Sequence, residues 1–287
     1  MRFSTRTYYW MTLPAFALFF IFHTVPLIMG IFYSFTNYRG FGPWDFVGLN
    51  NYVALFADDR ILSSYLFTLQ FAVVGTILLN VIALAIAVGL NSKIKFRNTL
   101  RGVYFIPYVL SILIVGFIFN YIFAFLLPEV GMWAGIARLS ANILADPELA
   151  WVGVVAVNVW QGVAFAIVLY LAGLQTVPPE QLEAAELDGA GAWKRFWHIT
   201  FPLIAPFFTI NMVLGMKGML MVFDLIVALT GGGPGTATES ISLVLFRGGF
   251  EGAEFAYQSA NAVVFLVVLI VIAAVQLKYL QRREVNA

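Results

Sequence analysis

Charged residues leave six long gaps in this chain, at 7–38, 61–92, 102–128, 149–179, 196–216 and 255–277. Each is longer than the roughly 20 residues with which a helix crosses a hydrocarbon core of about 30 Å. Lipid cannot satisfy an open backbone, so such a chain is confined to helices or a closed barrel. Barrel strands need only about 10 residues each, with alternating polarity. These runs are longer and do not alternate. The reading is an all-α membrane protein, a single domain over 1–287 with six transmembrane helices near 11–34, 64–90, 103–127, 151–174, 202–226 and 258–280. Composition agrees: 61% of residues are hydrophobic and 11% charged, where a soluble domain is roughly a quarter charged. Membrane lipid is the expected surroundings.

The same composition excludes several functions. The net charge of +1 gives no field that would gather nucleic acid. There is no cysteine and there are two histidines, His23 and His198, so disulfide frameworks, thiolate zinc sites and cysteine nucleophiles are out. His23 reads as a satisfied bundle residue and His198 as an interface residue. Neither a P-loop signature nor an HExxH occurs in the sequence. The chain offers no catalytic or metal-binding cluster, and any nucleotide would be bound by another protein.

Lys and Arg in the flanks set the orientation. One side carries Arg2, Arg6, Lys93, Lys95, Arg97, Arg101, Lys194, Arg195, Lys278, Arg282 and Arg283; the other carries Arg39, Arg60, Arg138 and Arg247. Eleven against four, with Lys217 inside the fifth span, accounts for all 16 cations. Both termini are expected in the cytoplasm. The first span is too long for a signal-peptide core and lacks a small-residue cleavage site, so it reads as a retained helix. Segments 35–63, 128–150 and 227–257 are then outside loops. Gly231 to Gly235 reads as a tight, mobile turn rather than a phosphate loop, since the Lys-Ser/Thr of that motif is missing.

The inside segment 177–202 reads VPPEQLEAAELDGAGAWKRFWHITFP. Pro178 and Pro179 suit a first helical turn. Glu180 and Glu183 sit near the positive end of the helix dipole. Gly189 and Gly191 stop the helix. About ten residues of surface helix follow, rich in alanine. By local chemistry this is either a solvated amphipathic loop or a docking element whose small side chains admit a close partner. Glu183, Ala184, Ala185, Gly189, Ile199 and Pro202 are similar to the EAA loop of ABC importer permeases, E-A-A-x3-G-x9-I-x-L-P. One fixed position departs, where Phe201 replaces leucine. The resemblance implies a type I ABC importer permease bundle of the MetI-like kind. In such proteins the EAA helix docks in a cleft of the ATP-binding subunit and transmits its closure, and that implies coupling roles for Glu183, Ala184, Ala185 and Gly189.

Tyr33 to Tyr38, Phe46 to Tyr52, and Phe223-Asp224 leading into Leu229 to Pro234 resemble the MalF/UgpA-type permeases of carbohydrate importers, over nearly the whole chain. The implied partners are a homologous MalG-like permease, two ATP-binding-cassette ATPase subunits that carry ATP and Mg, and an extracytoplasmic solute-binding protein. No cofactor is expected in this chain. The implied location is a bacterial or archaeal plasma membrane. The implied function is half of the translocation path for a sugar or sugar-like solute; the alternatives are glycerol phosphate as solute, or an ion-coupled secondary transporter. Nearly every acid lies in a loop, whereas an ion-coupled transporter is expected to hold coupling carboxylates inside its spans.

Polar groups at membrane depth are the candidates for that path. Asn158, Gln161, Gly162 and Phe165 fall at i, i+3, i+4 and i+7, on one face of the fourth span. Amides suit hydroxyls, and a ring suits the apolar face of a sugar. Interhelical hydrogen bonding is the other reading of Asn158 and Gln161. Gly215, Met219 and Val222 leave the fifth span poor in polar groups where sugar-binding relatives are often polar. Lys217 lies roughly 21 Å along that span. It either snorkels to the outer interface or faces the cavity, with Asp224 as a possible ion partner.

Overall fold

A computed structural model describes residues 5–92 and 94–281, with side chains from Trp10 onward. Arg2, Lys93, Arg282 and Arg283, counted above for orientation, lie outside the described residues, as does the side chain of Arg6. The helices, in order, are α1 (Thr5–Phe19), α2 (Val25–Tyr33), α3 (Asn50–Leu55), α4 (Asp59–Asn91), α5 (Arg97–Val109), α6 (Ile112–Tyr121), α7 (Leu127–Ala134) and α8 (Ala150–Leu174). Then come α9 (Pro179–Leu187), α10 (Ala192–Arg195), α11 (Phe201–Leu203), α12 (Ala205–Leu220), α13 (Asp224–Leu229), α14 (Ile241–Phe246) and α15 (Phe255–Leu280). Among the described residues there is no β-strand, only an isolated bridge between Thr36 and Phe46.

Among the described residues, five helices are long and apolar enough to cross a membrane: Trp10–Tyr33, Asp59–Asn91, Ile112–Trp133, Ala150–Leu174 and Phe255–Leu280. A sixth span is made if Ala192–Leu203 and Ala205–Leu220, bent by 71° at their junction, count as one. Trp10, Phe22 and Val109 stand at least 70% exposed. Side chains this apolar, turned outward along whole helices, call for lipid around them.

Two expected spans differ from what forms. The third was expected at 103–127. Instead α5 ends at Val109, Leu110 and Ser111 are extended, and a new helix starts at Ile112. Pro107, inside α5, removes a backbone donor and weakens the helix locally. The fifth was expected at 202–226. It bends at Ile204, between Pro202 and Pro206, and α12 ends at Leu220. The Val222 carbonyl beyond that end accepts a bond from the Ser240 hydroxyl at 2.8 Å.

The contacts of the chain fall into two compact units. In the first, residues 1–62 with 244–267, the segment after α2 is knit by polar bonds. Asn51 Nδ2 donates to the carbonyls of Ser34 and Thr36 at 2.8 Å each. The Tyr257 hydroxyl donates to Asp58 Oδ2 at 2.9 Å. Tyr33 stacks on Tyr38, and both meet Phe255 edge-on.

In the second unit, residues 63–243 with 268–287, α8 is the core helix, and most of its residues are buried. Close approach is set by small residues, as lipid-embedded packing requires. A Cβ on Gly173 would stand 2.7 Å from the Phe207 ring, and one on Gly116 would stand 2.6 Å from Ala228 Cβ, so the Ala228 methyl of α13 packs directly on the α6 backbone. Asn120 Nδ2 donates to the Leu229 carbonyl across that contact at 2.6 Å. The fully buried Tyr170 donates to Asn80 Oδ1 at 2.5 Å, and Asn80 Nδ2 donates to the Thr76 carbonyl.

Candidate functional site: an exposed short helix and a cavity between helices

The loop after α8 forms the short helix expected of it. Pro178 holds an extended conformation and Pro179 opens α9, where its missing N–H costs nothing. Gly189 ends the helix at φ +79°. The Ala190 amide bonds to the Ala185 carbonyl, and that of Gly189 to Glu186, which together make a Schellman closure. Gly191 is not part of this stop; it sits at φ −64° as the residue that starts α10. Glu183 and Ala184 are exposed, and Ala185 is half-buried. Glu186 pairs with Arg195, tying α9 to α10. Leu187 is 90% and Trp193 75% exposed, so the outer edge of this element is apolar. Between α9 and the end of α4 lies a cavity of about 710 Å³ whose lining includes Asn91, Glu183, Glu186 and Arg195. His198 is exposed beside it, with Nδ1 3.0 Å from the Lys194 carbonyl.

A second cavity, of about 410 Å³, lies between α4, α5, α8 and α12. Asn158, Gly162 and Phe165 line it from α8, as expected. Tyr108 joins from α5, and its ring stacks on Phe165 with centroids 5.3 Å apart and planes 23° from parallel. From α12 come Asn211, Gly215 and Gly218, where the two glycines leave room. Asn158 is half-buried and makes no hydrogen bond among the described residues, so its amide is available to a guest.

Two of the expected path residues are elsewhere. Gln161 does not line the cavity; its Nε2 donates to the carbonyls of Pro107 and Leu110 at 3.2 and 2.9 Å. The polar demand of the α5–α6 break claims it. Lys217 is exposed and lies off the cavity, since Gly218, one residue on and about 100° round the helix, is the one that faces it. Lys217 forms no ion pair among the described residues, and Asp224 is exposed at the start of α13. Val222 is buried away from the cavity, while Gly215 and Met219 line it. His23 is exposed and stacked on Phe19, not buried in a bundle. Sequence reasoning passed over Tyr108 and Asn211. Asn211 carried a signal, an amide in the middle of an apolar span. Tyr108 carried only its place after Pro107.

The loop read as a glycine turn is one, held by hydroxyls. The Thr230 and Thr238 hydroxyls are 2.8 Å apart, Thr238 donates to the Gly233 carbonyl, and the Gly232 amide donates to Thr230. Gly231, Gly232 and Gly235 take positive φ.

Apolar helices with outward faces, a cavity walled by four helices and an exposed short helix after α8 define a membrane transport component. The chain belongs to the family of binding-protein-dependent transport system inner membrane components, matched over residues 80–285. It is a multi-pass membrane protein. It is 33% identical over 285 residues to the probable starch degradation products transport system permease protein AmyD of Thermoanaerobacterium thermosulfurigenes, covering 99% of this chain and 97% of that protein. It is 38% identical over 269 residues to the multiple sugar-binding transport system permease protein MsmF of Streptococcus mutans, covering 92% of each. A bacterial ABC transporter for the acidic polysaccharide alginate shares the fold, with a TM-score of 0.84 at 24% identity over 96% of this chain and 95% of that one.

Proposed function

We propose that this chain is one of two membrane-spanning subunits of an ATP-driven importer, and that it forms half of the path for a neutral sugar or oligosaccharide. The observation that carries the reading is the cavity between α8 and α12. It offers a stacked ring pair, Tyr108 and Phe165, beside the free amide of Asn158. A ring for the apolar face of a sugar and an amide for its hydroxyls are what such a solute needs. The relatives named for starch products and for multiple sugars support the class.

A second reading, glycerol phosphate, has relatives too: the sn-glycerol-3-phosphate permease UgpA of Agrobacterium fabrum is 30% identical over 281 residues. The cavity weighs against it. No cation is among the residues that line it, and a phosphate taken from water into such a site needs one.

The flanking charges put both termini in the cytoplasm, which sets α9 on the cytoplasmic side. There α9 meets an ATPase subunit, with Ala184 and Ala185 permitting close approach and Glu183 offering a carboxylate to a cation of that partner. ATP and Mg reside on the two ATPase subunits, and this chain holds no cofactor. A homologous MalG-like permease completes the path, and an extracytoplasmic binding protein delivers the solute. Closure of the ATPase pair moves α9, and the membrane helices alternate between outward and inward access. Cells with and without the chain, offered radiolabelled neutral oligosaccharides and sn-glycerol 3-phosphate, test the reading. Loss of oligosaccharide uptake alone is expected. Loss confined to glycerol phosphate overturns it.

A further inference from the structure

Leu110 and Ser111 are extended between α5 and α6, with ψ of 141° and 131°, so helical bonding stops there. The carbonyls at the end of α5 are left to find other donors. That of Pro107 receives the Leu110 amide only at 3.4 Å. One group meets both: Gln161 Nε2 donates to Leu110 at 2.9 Å and to Pro107 at 3.2 Å. These two carbonyls bracket Tyr108, whose ring stacks on Phe165, one turn along α8 from Gln161. Gln161 is 7% exposed, and its Oε1 is buried with no partner among the described residues. The opposite amide orientation would set that oxygen against two carbonyls, so the donor assignment is fixed by chemistry. An amide that leaves its acceptor unpaired is held in place by what its donors do.

We propose that Gln161 is a positioning residue for the solute site. It holds the backbone on both sides of Tyr108, and so sets where that ring stands against Phe165 and how wide the cavity is there. The proposal rests on the reading of this cavity as the solute path. Without the two donations, the Leu110 carbonyl would lose this donor at membrane depth and that of Pro107 would keep only the long bond from the Leu110 amide. The break would then be free to slide towards continuous helix, and each residue of register would swing Tyr108 about 100° round the axis.

The chain has no cysteine, which makes the test direct. Tyr108→Cys and Asn158→Cys are made singly in the full chain in lipid vesicles and labelled with a small charged methanethiosulfonate. Combined with Gln161→Leu, the labelling rate at 108 relative to 158 is expected to change about threefold or more. Backbone exchange over 108–112 is expected to rise by a similar factor while that of α8 stays put. A bond with only a structural role would lower the yield of folded chain and leave the ratio of rates unchanged, and that result overturns the proposal. If neither cysteine reacts from water, the cavity is not a path, and the positioning of the backbone is judged by exchange alone: unchanged exchange over 108–112 refutes it. Should Gln161→Leu fail to accumulate, Gln161→Asn, one methylene too short to reach both carbonyls, carries the same readouts.

Discussion

At the scale of single residues, two contacts can be weighed. Phe165 stacks on Tyr108 and faces the cavity. Ring contacts of this kind are worth about 1 kcal/mol, so Phe165→Ala should raise the KM for solute uptake about fivefold, with the transport rate at saturation little changed. Uptake kinetics in vesicles check this. Tyr170 is fully buried on Asn80. Hydrogen bonds between membrane helices average below 1 kcal/mol and reach about 1.7 kcal/mol. Tyr170→Phe should therefore cost about 1 kcal/mol in thermal unfolding of the detergent-solubilised chain.

At the scale of elements, the turn after α9 and the contact between α6 and α13 are two points of low tolerance. Gly189 sits at φ +79°, where an L side chain costs roughly 1–2 kcal/mol. Gly189→Val should unravel the end of α9 and reduce uptake more than it reduces the amount of chain in the membrane, measured by immunoblot alongside transport. Gly116→Val meets a rigid methyl at 2.6 Å. An overpacked contact of this kind costs about 1–3 kcal/mol, and a loss of folded chain is expected instead. These elements also show what a sequence can carry. Helix α9 was legible because Pro179 and Gly189 are local signals, and so was the face bearing Asn158, Gly162 and Phe165, because it follows helical periodicity. The α5–α6 break and the bend at Ile204 were not, since absence of charge marks apolar length and is blind to a kink within it. Interhelical hydrogen bonding was one of the two readings open for Gln161, and it holds, but the partners were not legible. Its partners are carbonyls 54 and 51 residues away in sequence, freed by a break that no periodicity announces.

At the scale of the whole molecule, the proposed function joins an orientation, an energy source and a path. Leu187 is 90% exposed on α9, and the proposed orientation puts it inside the cell. Leu187→Cys should react with an impermeant maleimide in inverted vesicles and be silent in intact cells. The central claim is that ATP moves this chain's helices through α9. The most direct measurement is oligosaccharide uptake by vesicles containing the assembled transporter, energised either by ATP alone or by an ion gradient alone, with the native chain and with Glu183→Arg. The expected result is uptake with ATP, none with the gradient, and a loss of about tenfold or more for Glu183→Arg, where a bulky cation replaces the carboxylate at the proposed contact with the ATPase. Uptake that follows the gradient without ATP, or that is indifferent to Glu183→Arg, would contradict it.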